Sequence, residues 1–329
     1  MLVDCLCGAA LAAARAADPP CLTVSCAPDN DLLRVLQASG YSCERADSPR
    51  AAVERAAQDG AVLVLADGYP QRPTEVPAGL LEAAARRNLR LYLEFPSALP
   101  GMEIGPPRAA GAERAVVGSD FFGPALPRHR ILAIHGLHFV PAKADRASLV
   151  AARVAGFDTA VYGLPAESHP LLFELPDGRV LVATTKLSHF VTGRYAPQDA
   201  WQALWTGVLR WLCPGRDLPP LAWTPATRPS FGRDDPLPAD AERQAIARGA
   251  RWFHRSGLLL HSSRLAEVDR AERGNGLTAP PPTGAPSGDG SLGILEGPLS
   301  VIRPDGRQLQ SVARRADCHG ESAMALALA

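Results

Sequence analysis

The chain has 329 residues, 34 basic and 34 acidic side chains, a formal charge of zero and a pI near 7.1. That balance gives no net field to draw in nucleic acid or an anionic membrane surface, and neither is expected as a partner. Hydrophobic residues make up 47% of the chain, yet Arg, Asp or Pro interrupts each apolar run before the roughly 18 residues a spanning helix needs, so no membrane span is expected.

The first twenty residues, MLVDCLCGAALAAARAADPP, hold a short apolar stretch open to reading as a weak secretory signal, but they lack a basic start and carry Asp4. Seven scattered cysteines, Cys5, Cys7, Cys21, Cys26, Cys43, Cys213 and Cys318, do not form the even, spaced set of a disulfide framework. Together these features favour a reducing compartment, the cytoplasm, with the signal peptide as the alternative. No cysteine pair has redox or zinc spacing, and no cofactor or metal is expected.

From Cys21 the pattern alternates short apolar runs with amphipathic ones: CLTVSC, DLLRVLQASG, YSCERAD, PRAAVERAAQDG, AVLVLAD, PAGLLEAAARRN and LRLYLEF. This is strand, helix, strand grammar, with strands apolar enough to be buried on both faces. It predicts a mostly parallel sheet between two helical layers. A Gly- and Pro-rich loop leads to RILAIHGLHFV, to a candidate strand TAVYGL, and to LLFEL and RVLVATTKL, which Pro176, Asp177 and Gly178 join as a hairpin. Trp201, Leu204, Trp205, Val208 and Leu212 then recur at helical spacing between Pro197 and Leu212, which marks them as core rather than as a ligand platform.

Residues 1–215 are therefore one α/β domain, and 216–239, rich in Pro, Gly, Arg and Asp, form a linker or surface-hugging connection. Residues 240–329 read as part of an all-α domain. Asp240 offers a cap to a helix with Ala245, Ile246, Trp252 and Phe253 on one face, 274–290 read as a flexible insertion, and a last helix begins near Asp317. That helix carries Met and Leu among alanines all round and expects burial, so a homo-oligomer or further C-terminal chain would complete it.

Ligands of open parallel sheets bind beyond the carboxyl ends of the strands, which here places Asp67, Glu94, Lys186 and His189 in one candidate cleft. The layout resembles the flavodoxin-like, class I glutamine amidotransferase-like domains. That family implies a cysteine in a Gly-flanked elbow after a strand; Cys26 has no such flanks, and LEFPSALPG contains neither GxCxG nor GxSxG. Thr185, Lys186, Ser188 and His189 lie where the family's later catalytic residues would lie, without a nucleophile to serve. His135 and His138 in IHGLH would point to opposite faces of a strand, and only a turn would bring them together.

The C-terminal run GDGSLGILEGPLSVIRPDGRQLQSVARRADCHGE gathers Asp289, Glu296, Asp317 and Glu321 with Gln308, Gln310, Arg314 and Arg315, the carboxylates and bidentate donors that sugar chemistry uses. Asp317 and Glu321, four apart, would share a helix face, and mutual repulsion would raise one pKa as a general acid requires. A cap and a first-turn carboxylate explain the same positions structurally. GDGS, LEG and ADCxGE ahead of an Ala-rich helix resemble the opening of the six-hairpin, (α/α)6-toroid glycosidases. The resemblance implies a glycoside hydrolase acting on a poly- or oligosaccharide, with Asp317 and Glu321 as acid and base and Asp289, Glu296 and Arg315 holding sugar hydroxyls. From a different class, a non-catalytic binding or assembly module fits the front domain.

Overall fold

The computed structural model describes residues 22–232, 235–299 and 308–329; the signal-like stretch lies outside the described residues. The first half follows the predicted alternation: β1 (Leu22–Ser25), α1 (Asp31–Ala38), β2 (Cys43–Ala46), α2 (Pro49–Arg55), β3 (Ala61–Val64), α3 (Leu80–Arg86) and β4 (Arg90–Glu94). Local chemistry sets the helix starts. The Asn30 side chain accepts from the Leu32 and Leu33 N–H groups to cap α1, and Ser48 caps α2 just ahead of Pro49.

The second half contributes β5 (Arg108–Ala109), β6 (Arg114–Val117), β7 (Ile131–Ile134), β8 (His138–Phe139), β9 (Leu149–Ala152), β10 (Ser168–Glu174), β11 (Val180–Ala183), β12 (Tyr195–Ala196) and α4 (Gln198–Leu212). Ten of these strands form one mixed sheet in the order β12-β7-β6-β9-β10-β11-β4-β3-β1-β2. The five from β11 to β2 run parallel; β10, β9, β6, β7 and β12 are added antiparallel. The hairpin expected at Pro176, Asp177 and Gly178 joins β10 to β11. TAVYGL is not a strand beyond a single bridge at Thr159, and Phe157, Val161 and Tyr162 around it are exposed.

Alternation along the strands splits the core between the two faces. On β3, Ala61 and Leu63 pack with α1 and α4, while Val62 and Val64 pack with α2 and α3. The predicted stripe of α4 is the centre of the first face, with Trp201, Leu204, Trp205, Val208 and Leu212 all buried. The segment after α4 holds to the same domain. Leu221 is buried in its core, Tyr41 Oη donates to the Pro219 carbonyl at 2.8 Å, and the Ala226 N–H donates to the Val191 carbonyl at 2.8 Å.

Beyond it stand α5 (Ala241–Ser256), a 3-10 turn (Ser262–Arg264), α6 (Leu265–Glu272), β13 (Leu277–Thr278), β14 (Gly297–Pro298), β15 (Gln310–Ser311) and α7 (Ala316–Ala327). This part is not all-helical: the three two-residue strands pair as β13-β15-β14 beside a core of Leu258, Leu259, Leu260, Val268, Ile294, Leu295 and Val312. At two residues each, the strands are too short to show a period of two in the sequence. Buried Arg264 ties the part together, donating to the carbonyls of Gly257 at 3.2 Å and Ala279 at 3.0 Å. The stretch expected as a flexible insertion, 274–290, supplies β13 and is fastened by Thr278 to Glu267 and by the Gly288 N–H to the Leu259 carbonyl at 3.0 Å. No residue of α7 is buried, and Met324 and Leu328 are exposed, against the expectation of a helix enclosed on all sides.

Trp205 joins α4 to the sheet. Its ring packs on Tyr92 at 5.6 Å and its Nε1–H donates to the Leu187 carbonyl at 3.3 Å. Trp205→Ala is expected to cost about 3–5 kcal/mol in a chemical denaturation experiment. A loss under about 1 kcal/mol would show that α4 is not the clamp described.

Candidate functional site

At the carboxyl ends of β1, β3 and β11 the structure opens a cleft of about 520 Å³ lined by Asp31, Arg34, Asp67, Tyr69, His135, His138, Lys186, His189, Arg194 and Tyr195, among others. This is within the roughly 300–1,000 Å³ usual for small-molecule sites. Three of the four residues expected there, Asp67, Lys186 and His189, line it. Glu94 does not: its side chain is fully buried and spent on the protein itself.

Five donors converge on the Glu94 carboxylate. Oε1 accepts from the Leu187 and Ser188 N–H groups, each at 2.8 Å, and from Tyr92 Oη at 3.2 Å. Oε2 accepts from the Ala66 N–H at 2.9 Å and the Ser188 hydroxyl at 2.8 Å. The carboxylate thus joins the segment after β3, the end of β4 and the turn after β11. Burial raises its pKa above the ordinary carboxylate range, against the opposing pull of Lys186 and of the donors.

The backbone beyond Glu94 takes the shape of an elbow. Phe95 has φ of 53°, a left-handed conformation costly for a bulky residue, and its ring is buried against Tyr69 at 5.0 Å. In hydrolases such a strained strand-to-turn corner presents the nucleophile; here an aromatic ring fills it. Cys26, at the end of β1, is no substitute, because burial and the neighbouring Asp67 push its thiol up to about 12.

The opposite wall is a turn that converges two histidines. Gly136, at φ 66°, reverses the chain between β7 and β8, so His135 and His138 both face the cleft instead of alternating on a strand. Tyr69 Oη secures the turn, accepting from the His138 N–H at 2.7 Å and donating to the His138 carbonyl at 3.3 Å. Burial, then the charge of Arg194, lowers the pKa of His135.

His189 is held from behind. Its Nδ1 lies 3.2 Å from Thr192 Oγ1 and 3.7 Å from Asp31 Oδ2. Asp31 also accepts from the Val191 and Thr192 N–H groups, at 2.9 and 2.8 Å. Burial lowers the His189 pKa, against the opposing pull of Asp31 and with the added push of Lys186. Gly193 lets the loop double back: a Cβ there would meet the His189 carbonyl oxygen at 2.4 Å. Asp31, Tyr69, Arg194 and Tyr195, which were not among the residues expected in the cleft, come from three segments, the start of α1, the loop after β3 and the entry to β12; the glycine of IHGLH was the one visible sign of the converging turn.

The C-terminal candidates form a different picture. Arg315 bridges Glu296, at 3.0 Å, and Asp317, at 2.5 Å, and Glu296 also accepts from the Ser311 hydroxyl. Asp289 accepts from Ser291, and Glu321 is exposed on α7. Hydrogen bonding to Arg315 lowers the Asp317 pKa, the reverse of the rise expected from a carboxylate pair. Gln310 is buried, donating to the Ser256 carbonyl at 3.0 Å, and Gln308 donates to the Leu299 carbonyl.

Among the described residues no group of three or more His, Cys, Asp or Glu side chains has metal-holding geometry, and no helix is long and apolar enough to cross a membrane. Comparison with protein-family models, curated proteins and solved structures finds no match to the chain.

Glu94→Gln places an amide N–H₂ against donors that need an acceptor. The variant is expected to lose about 1–3 kcal/mol of stability by urea denaturation. Wild-type stability would refute the role given to this carboxylate.

Proposed function

We propose that the chain is a ligand-binding module of a carbohydrate-processing protein, with the cleft beside β1, β3 and β11 as its site. The observation that carries this is the cleft itself: Arg34, Lys186 and Arg194, three imidazoles and the Tyr69 and Tyr195 side chains line one concave surface at the sheet's carboxyl edge. Cationic forks and ring edges set around a polar hollow are suited to polyhydroxylated ligands. The corner that would present a nucleophile holds Phe95, which favours binding over turnover. The sugar class is supported by the carboxylate-rich C-terminal motifs and their resemblance to six-hairpin glycosidases. The flavodoxin-like, amidotransferase-like character of the front domain is supported by its five parallel strands with helices on both faces.

A second reading, glycoside hydrolysis by Asp317 and Glu321, is favoured by the proximity of Glu296, Arg315 and Asp317. Its weakness is that Arg315 keeps Asp317 ionised, leaving Glu321 to act as the acid from an exposed helix.

Glycan-array binding by the full chain, with hydrolysis followed in parallel, separates the two. The binding module predicts saccharide capture without turnover, and Tyr69→Ala or His189→Ala weakening it by about tenfold or more, equivalent to ~1.4 kcal/mol. Turnover that is lost in D317N or E321Q would contradict it and establish the hydrolase.

A further inference from the structure

A threonine hydroxyl has one proton to give, and at Thr192 that proton is taken. Its Oγ1 donates to the Asp31 carboxylate, 3.1 Å from Oδ1 and 3.0 Å from Oδ2. The same oxygen lies 3.2 Å from His189 Nδ1 and meets the ring with a lone pair, so the proton of that contact belongs to Nδ1. The Asp31 charge, 3.7 Å from Nδ1, favours the same tautomer. In a neutral imidazole with its proton on Nδ1, Nε2 is an acceptor.

That acceptor is held in place. His189 lines the cleft, and among the described residues its Nε2 takes part in no hydrogen bond. Gly193 leaves the room the ring occupies: a Cβ there would stand 2.8 Å from His189 Cδ2. The Tyr195 ring lies edge-on at 6.1 Å, and its hydroxyl is spent on the Lys186 carbonyl at 2.7 Å. An acceptor of fixed direction in a concave site favours a ligand that brings a donor to it, and a ligand lacking that donor leaves it unpaired.

We propose that His189 determines which saccharides the cleft takes: its Nε2 accepts from one sugar hydroxyl, and Thr192 and Asp31 are positioning residues that keep the ring proton on Nδ1. The inference rests on the sugar-binding role proposed above and names the atom that reads the ligand. A hydroxyl both donates and accepts, so the demand falls on its proton. An analogue with fluorine in place of that hydroxyl keeps the size and loses the donor.

Long-range proton–nitrogen correlation NMR on the full chain, at about pH 8 and so above the ordinary imidazole value, reads the tautomer without any ligand. His189 is expected in the Nδ1–H form, and Thr192→Val, which removes the bridging hydroxyl, is expected to lower the share of that form. An Nε2–H majority in the unsubstituted chain would overturn the inference. Glycan-array capture at the same pH then tests the acceptor, because glutamine carries its amide oxygen near the place of Nε2 and asparagine near that of Nδ1. His189→Gln is expected to hold capture within about threefold, and His189→Asn to lose about tenfold or more. His189→Gln capturing no better than His189→Asn would overturn the inference and leave sugar binding intact. Of the monodeoxyfluoro analogues of a captured glycan, one is expected to bind the unsubstituted chain about tenfold more weakly than the parent glycan, with no such gap in His189→Ala. The same gap in both chains would overturn the inference. Capture of no glycan would overturn both this inference and the sugar-binding role.

Discussion

One buried carboxylate sets the geometry on which the site depends. Glu94 ends β4 in the interior, and its two oxygens gather donors from the segment after β3 and from the turn after β11. Leu187 gives its N–H to Glu94 and its carbonyl to Trp205, so the same turn is held by the sheet below and by α4 above. Lys186 and His189 flank this two-residue anchor. Their placement therefore follows from an interaction that is itself closed to ligand. A buried acid with five donors is satisfied, and removing it would leave several N–H groups without partners.

The polar rim is built on that anchor by loops rather than by strands. Asp31 fixes the loop that carries Thr192 and orients His189; Tyr69 fixes the turn that carries His135 and His138. Where a reacting group would stand in an enzyme of this shape, the elbow holds a buried phenylalanine, and the nearest thiol is kept protonated by burial. The cleft has the charges and hydrogen-bonding groups for recognition and lacks a covalent nucleophile at its corner. The C-terminal carboxylates are by contrast held by Arg315 and Ser291 on an exposed surface.

The parallel half of the sheet was legible in the sequence because its strands are buried on both faces and read as unbroken apolar runs between amphipathic helices, as AVLV and RLYLE do. The antiparallel half was legible only in part, through RILAI and LLFEL, which are β7 and β10. RAVV and LVAA are strands of only four residues, too short to stand out, while TAVYGL looks like a strand and leaves Val161 and Tyr162 in solvent. Glu94 stood out correctly as a special acid at a strand end, but sequence cannot distinguish a carboxylate aimed at a ligand from one aimed at five donors. The histidine pair was misjudged for a related reason: a spacing of three separates side chains on a strand, and only the positive φ of Gly136 joins them. In the last ninety residues the motifs were read as helix and catalytic acids, while the structure spends Gln310 on a buried bond and interleaves three minimal strands.

The central claim, that ligand is received at the sheet's carboxyl edge and not by the C-terminal acids, is tested most directly by hydrogen–deuterium exchange with and without a saccharide captured on the glycan array. Slowed exchange confined to the segments around residues 27–34, 67–71, 135–138 and 186–195, which surround the cleft, is the predicted result. Protection centred on 289–296 and 315–321, with none around the cleft, would contradict it.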